Sequence, residues 1–142
     1  MNQRVWVAAL LVAALAGVAA GCSPRSGGGP GATPTAGATI VVDAPIESID
    51  ILVRESFPPG YTAHIVSGLP SGCAKFNMAA VVERTGNHIA VKVTNTMPAD
   101  SHTACTAIYG YKESNVDLGT NFTSGQTYTV DVNDKSKNFT AQ

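Results

Sequence analysis

Apolar residues are spread along this chain in three different ways. From Val5 to Leu15 they run almost without interruption, and small residues then lead to Gly21-Cys22. Residues 23–38, SPRSGGGPGATPTAGA, contain no large apolar side chain. From Thr39 onward apolar and polar positions alternate. Ile49, Ile51 and Val53 fall on one face, as do Tyr61, Ala63 and Ile65. Ile89-Ala90-Val91-Lys92-Val93 and Tyr128-Thr129-Val130-Asp131-Val132 repeat the period of two. That period predicts half-buried antiparallel strands. Ile40–Val42, Met78–Arg84, Thr106–Glu113 and Asn138–Ala141 carry weaker versions of it. No stretch keeps helical spacing for ten residues.

Turn residues break these runs at intervals typical of short strands. Thr85-Gly86-Asn87-His88 sits between two strand patterns and reads as a hairpin. Phe57-Pro58-Pro59-Gly60 cannot extend a ladder, because proline donates no backbone hydrogen bond. Asn133-Asp134-Lys135-Ser136-Lys137 closes a last hairpin. The expectation is an all-β domain over 39–142, an antiparallel immunoglobulin-like β-sandwich of about seven to eight strands. A small closed barrel is the alternative arrangement.

Composition narrows the function classes. Nine basic against ten acidic residues give a net charge of −1 in 142 residues. A nucleic-acid surface needs a basic stripe that displaces counterions, so no nucleic-acid partner is expected. The apolar N-terminal run follows a single basic residue, Arg4, and ends in small residues, the arrangement of an export signal. It is short of the roughly 20 apolar residues that a spanning helix needs. Residues 23–38 cannot bury enough surface to offset their ordering entropy and read as a tether with a reach of roughly 20–24 Å.

Ala19-Ala20-Gly21-Cys22 resembles the lipobox of bacterial lipoproteins, with Ala19 where Leu is favoured. The resemblance implies a signal peptide over 1–21, lipidation of Cys22 and cleavage before it. Two or three acyl chains, at about 0.8 kcal/mol per buried CH₂, would hold such a protein on a bilayer. The expected domain order is therefore signal 1–21, lipidated Cys22 and tether to residue 38, and a folded module over 39–142. The expected location is the bacterial cell envelope, on the outer membrane or the outer face of the cell membrane.

With Cys22 assigned to the anchor, Cys73 and Cys105 remain. An even pair in an exported chain predicts a disulfide. Cys105 falls in phase with Ala107, Tyr109 and Tyr111, as if on one face of a strand.

Catalytic and metal patterns are missing. His64, His88 and His102 show no metal-ligand spacing, and no His follows Cys105 as a blue-copper site would require. Gly68-Leu69-Pro70-Ser71-Gly72 lacks the order of a nucleophile elbow. Asp131-Val132-Asn133-Asp134 lacks the Gly and terminal Glu of a calcium loop. The expectation is a non-enzymatic protein with no metal and no cofactor.

What remains suits recognition. Phe57, Pro58, Pro59, Gly60 and Tyr61 form a stiff aromatic-flanked loop, and Tyr109 and Tyr111 flank a bare glycine. Loops on a rigid sandwich are common binding surfaces, here for a protein or glycan partner. Pro58-Pro59-Gly60-Tyr61 also resembles one inhibitory loop of chagasin-like cysteine-protease inhibitors, which are exported immunoglobulin-like domains. The other two loops of that pattern have no counterpart in this sequence.

Overall fold

The computed structural model describes residues 37–142; the segment 1–21, Cys22 and the tether as far as residue 36 lie outside the described residues. Eight strands follow one another: β1 (Thr39–Asp43), β2 (Ile46–Arg54), β3 (Gly60–Leu69), β4 (Lys75–Thr85), β5 (His88–Pro98), β6 (Gly110–Gly119), β7 (Thr127–Val132) and β8 (Lys135–Thr140). No described residue is helical. The strands form a β-sandwich. One sheet is β2-β3-β6, and the other contains β4, β5, β7 and β8 with β1 beside β5.

β5 is the spine of the larger sheet. One of its edges pairs with β4 through the hairpin at Gly86-Asn87, where Gly86 has φ 56° and Thr85 faces His88. The other edge is divided. β7 runs parallel to His88–Val91, while β1 runs antiparallel to Thr94–Pro98. Every other pairing is antiparallel.

At Val93 that divided edge belongs to neither strand, and Asn133 fills the gap. Its Oδ1 accepts from the Val93 N–H at 3.1 Å, and its Nδ2 donates to the carbonyls of Val93 and Ala44, each at 2.8 Å. Buried backbone groups must find partners, and here a side chain supplies what a strand does not. Asn133 has φ 49°, a left-handed conformation that Asn tolerates better than most residues. The last turn is thus tighter than the sequence implies: Lys135, Ser136 and Lys137 already belong to β8.

The core follows the alternation. Tyr61, Ala63, Ile65 and Ser67 of β3 face Ile89, Val91, Val93 and Asn95 of β5, with Val130 and Val132 of β7 beside them. β2 departs from strict alternation. A register shift between Ile46 and Ser48 leaves Glu47 as a bulge, so Ile46 and Ile49, three residues apart, are both buried. Further along, Ile51 is half-buried and Val53 is 44% exposed, so only the first half of the expected inward face of β2 is covered.

Aromatic rings fill the end of the sandwich where β3 begins. Tyr61, Phe122, Tyr128 and Phe139 pack with centroids 4.8–5.6 Å apart. The Tyr61 hydroxyl accepts from the Gln142 N–H at 2.7 Å. Two cations close the seam between β4 and β6: Arg84 lies 4.9 Å over Phe122, and Lys112 lies 5.5 Å over Phe76. Arg84 also donates to the Leu118 carbonyl.

β6 is displaced from its expected position. The pairing with β3 starts at Leu69↔Gly110 and runs to Tyr61↔Gly119, so Thr106–Tyr109 precede the strand. Pro70 ends β3, and the Thr106 carbonyl is taken by the Gly72 N–H at 3.0 Å instead of a ladder. Cys105 therefore lies in a connection, off any strand face.

Candidate functional site

Two ends of the sandwich can be distinguished by what they carry. At one end β5 finishes, β1 starts and β3 finishes. The chain enters the domain there: the Ala99 N–H donates to the Ala38 carbonyl at 2.9 Å, and Thr39 faces Pro98. A depression of about 360 Å³ elsewhere, lined by Asp43, Ala44, Pro45, Asn133 and Asp134, lies at the junction mended by Asn133. A smaller one of about 240 Å³, lined by Gly37, Ala38, Thr39, Pro98, Asp100 and Thr103, marks the entry point itself.

The entry end also holds the two connections that the disulfide joins. Cys73 in the β3–β4 connection and Cys105 in the β5–β6 connection are bonded, with Cα atoms 5.4 Å apart and a sequence separation of 32. The connections fit closely. A Cβ on Gly72 would lie 2.0 Å from the Thr106 hydroxyl, so only glycine allows this approach. Asp100 caps its own loop by accepting from the His102 N–H at 2.9 Å.

This fixed loop delivers three exposed apolar residues to the start of β6: Ile108 (68% exposed), Tyr109 (44%) and Tyr111 (68%). The two tyrosine rings meet edge to face at 5.5 Å. Tyr109 crosses the outer face of the smaller sheet, passing over Gly68, and its hydroxyl donates to Glu47 Oε1 at 2.6 Å. A Cβ at Gly68 would lie 2.0 Å from that hydroxyl, so the ring needs a glycine beneath it. The Glu47 carboxylate accepting this bond raises the Tyr109 phenol above its ordinary pKa of 10.0. Because Glu47 is the bulge residue of β2, the bulge and the tyrosine position are one arrangement.

The loop Phe57–Gly60 is at the other end. β3 runs ten residues from Gly60 to Leu69, roughly 30 Å at about 3.3 Å per residue, between that loop and the two tyrosines. Phe57 is 102% exposed, and the Phe57–Pro58 peptide is cis. Ser56 steadies the turn by donating to the Pro58 carbonyl at 2.8 Å. Arg54 lies against Gly60 and pairs with Asp117 at 2.8 Å. Tyr61 is 1% exposed and belongs to the core, on the face that alternation along β3 gives it with Ala63 and Ile65, so it is not part of the candidate binding surface. Phe57, Pro58 and Pro59 thus form one surface, with Gly60 buried beneath Arg54; Tyr109 and Tyr111 form another, and Cys22 lies outside the described residues.

Asp131 accepts from Ser136 Oγ at 2.6 Å and lies 3.3 Å from His88 Nδ1. Ser136, and after it His88, hold this carboxyl below the ordinary carboxylate range. The carboxylate stands between serine and imidazole, so the hydroxyl gives its proton to an acceptor-only group and has no imidazole base beside it. Among the described residues no three His, Cys, Asp or Glu side chains converge as a metal site.

The sequence reasoning did not find Gly68, Glu47 or Ile108. A glycine outward on an otherwise regular strand was the signal available, since it often marks a close approach.

Two facing sheets joined across one end by a disulfide define a small β-sandwich domain. The model of the ORF11 beta-sandwich domain matches residues 63–141, more than half of the chain, and the protein belongs to that family. The matched span includes both cysteines, Tyr109 and Tyr111, and begins after Phe57–Gly60. Comparisons with curated proteins and with solved structures give no match.

Proposed function

We propose that this protein is a non-enzymatic lipoprotein of the bacterial cell envelope, held in the membrane through lipidated Cys22 and presenting its β-sandwich as a binding module. The observation that carries the reading is the place where the chain enters the domain. A tether ending at Ala38 joins the sandwich beside Pro98 and Ala99, at the end opposite Phe57–Gly60. An anchor at Cys22 would leave the fully exposed Phe57 and its proline pair facing away from the membrane, where a protein or glycan partner can reach them. The inhibitor reading has no comparable support, because Tyr61, part of the only loop resembling that family, is buried.

The test is in two parts. The wild-type chain should fractionate with membranes and carry acyl groups on its N-terminal peptide by mass spectrometry, whereas Cys22→Ser should lose both. Retention of Cys22→Ser in the membrane without acylation would reject the anchor. Affinity capture from envelope extract with the intact chain and with Phe57→Ser should differ in the recovered partner. Identical recovery would move the contact surface elsewhere on the domain.

A further inference from the structure

The entry end carries a feature that the binding reading leaves unused. Ile108 and Tyr109 are exposed on a loop that the Cys73–Cys105 bond and the Gly72–Thr106 hydrogen bond hold in place, and Tyr111 is exposed where that loop enters β6. Three large apolar side chains so placed are costly to leave in water; Tyr109 is held by Glu47 and by the bare surface of Gly68, and Tyr111 packs on the Tyr109 ring. We propose that this end of the sandwich rests on the surface of the bilayer that holds the anchor, with Ile108, Tyr109 and Tyr111 entering its interfacial layer. This rests on the lipoprotein reading above.

Three observations choose a lipid surface as the occupant. First, 36 residues precede the described domain, and the chain meets the sandwich at this same end. A tether with a reach of roughly 20–24 Å keeps the end that it enters close to the membrane. Second, tyrosine combines an apolar ring with a polar tip, which suits the boundary between headgroups and acyl chains. Ile108 adds an aliphatic group with no polar demand. Third, Lys75 belongs to the same end of β4, where Lys75↔Thr96 pairs near the entry end. Lysine stems can cover apolar surface while their ammonium groups meet anionic headgroups. The far end has a single exposed aromatic, Phe57.

The experiment uses the full-length chain, exported and purified from membranes, carrying either Tyr111→Trp or Phe57→Trp. Each is reconstituted into vesicles of phosphatidylcholine and phosphatidylglycerol, with or without bromine on the acyl chains. Trp6 lies within the segment expected to be removed, so each sample should report from one tryptophan. Burial about 5–10 Å into the interface should let brominated chains quench Tyr111→Trp by about twofold or more, with little effect on Phe57→Trp. Tyr109→Ser and Ile108→Ser together, added to Tyr111→Trp, should abolish most of that quenching.

Mass spectrometry of the same samples reports lipidation separately. A lipidated chain whose Tyr111→Trp emission ignores brominated lipid overturns the docking and leaves the anchor standing. A chain without lipid overturns both. Emission that ignores lipid but shifts on addition of envelope polysaccharide or protein extract assigns the patch to that partner and rejects the bilayer.

Discussion

At the scale of single residues, Asn133 does the most for the fold relative to its size. Sequence alone places it in a turn, which is correct, but a turn residue gives no sign that its amide will complete a sheet edge 40 residues away. That role depends on the pairing of β5 with β7 stopping at Val91 and its pairing with β1 beginning at Thr94, a coincidence that only tertiary structure reveals. Replacing it with Ala removes three side-chain hydrogen bonds and takes away the partner of the Val93 N–H and of the Ala44 carbonyl, while the Val93 carbonyl keeps the Ala44 N–H, at an expected cost of about 2–4 kcal/mol. It also places a Cβ-bearing residue without a polar side chain at φ 49°. Asn133→Gly loses the same bonds without that conformational penalty and should be more stable than Asn133→Ala by about 1 kcal/mol. Urea unfolding of both variants separates the two contributions. If Asn133→Ala unfolds within about 0.5 kcal/mol of wild type, the edge at Val93 is satisfied by other groups.

At the scale of strands, period-two alternation was enough to place β3, β5 and β7, because each lies inside the sandwich with one face covered along its length. It was less informative at the margins. Glu47 breaks the phase of β2, so Ile46 before the bulge is buried out of step with the Ile49 and Ile51 that alternation finds beyond it. β6 was shifted because Cys105, Ala107, Tyr109 and Tyr111 keep strand spacing in a segment that is held by a disulfide and a loop hydrogen bond. The aromatic cluster was hidden for a related reason: Phe122 lies between strands, and a lone aromatic in a connection has no periodic signature. The cysteine pair itself was legible, since an even pair in a chain whose start reads as an export signal has few other uses. Closing 32 residues in the unfolded chain should stabilise the domain by about 3.5–4 kcal/mol in the chain-entropy model. Cys73→Ala with Cys105→Ala should lower unfolding stability by that amount. Hydrogen exchange should rise first in residues 99–109 and 70–74, while amides near Tyr61 and Val130 keep their protection. A loss below about 1 kcal/mol would mean that Gly72–Thr106 and the Tyr109–Glu47 contact hold the end without the covalent bond.

At the scale of the whole molecule, the question is what keeps two open sheets from pairing with other chains. Most edges are guarded. β4 has register shifts at Asn77 and Val82, β2 has its bulge, β6 carries Lys112, Glu113 and Asp117, and β8 carries Lys135 and Lys137. Bulges and charges of this kind make an edge a poor template for another strand. β1 is different. Its five residues, Thr39-Ile40-Val41-Val42-Asp43, pair with β5 on one side, and among the described residues no strand pairs with the other. Ile40 is 49% exposed and Val41 61%, with the single ion pair of Asp43 and Lys92 at 2.7 Å at one end of the strand. Such an edge should govern self-association at high concentration, and crowding molecules on a membrane would increase the effect. Val41→Lys puts a charge in its centre while removing little buried surface. Its unfolding free energy should stay within about 0.5 kcal/mol of wild type, and light scattering at high protein concentration should fall. Scattering that is unchanged in Val41→Lys but falls in Tyr111→Ser would place the association surface on the tyrosine patch instead. That result would make the patch a contact between copies of this chain even where no bilayer is present.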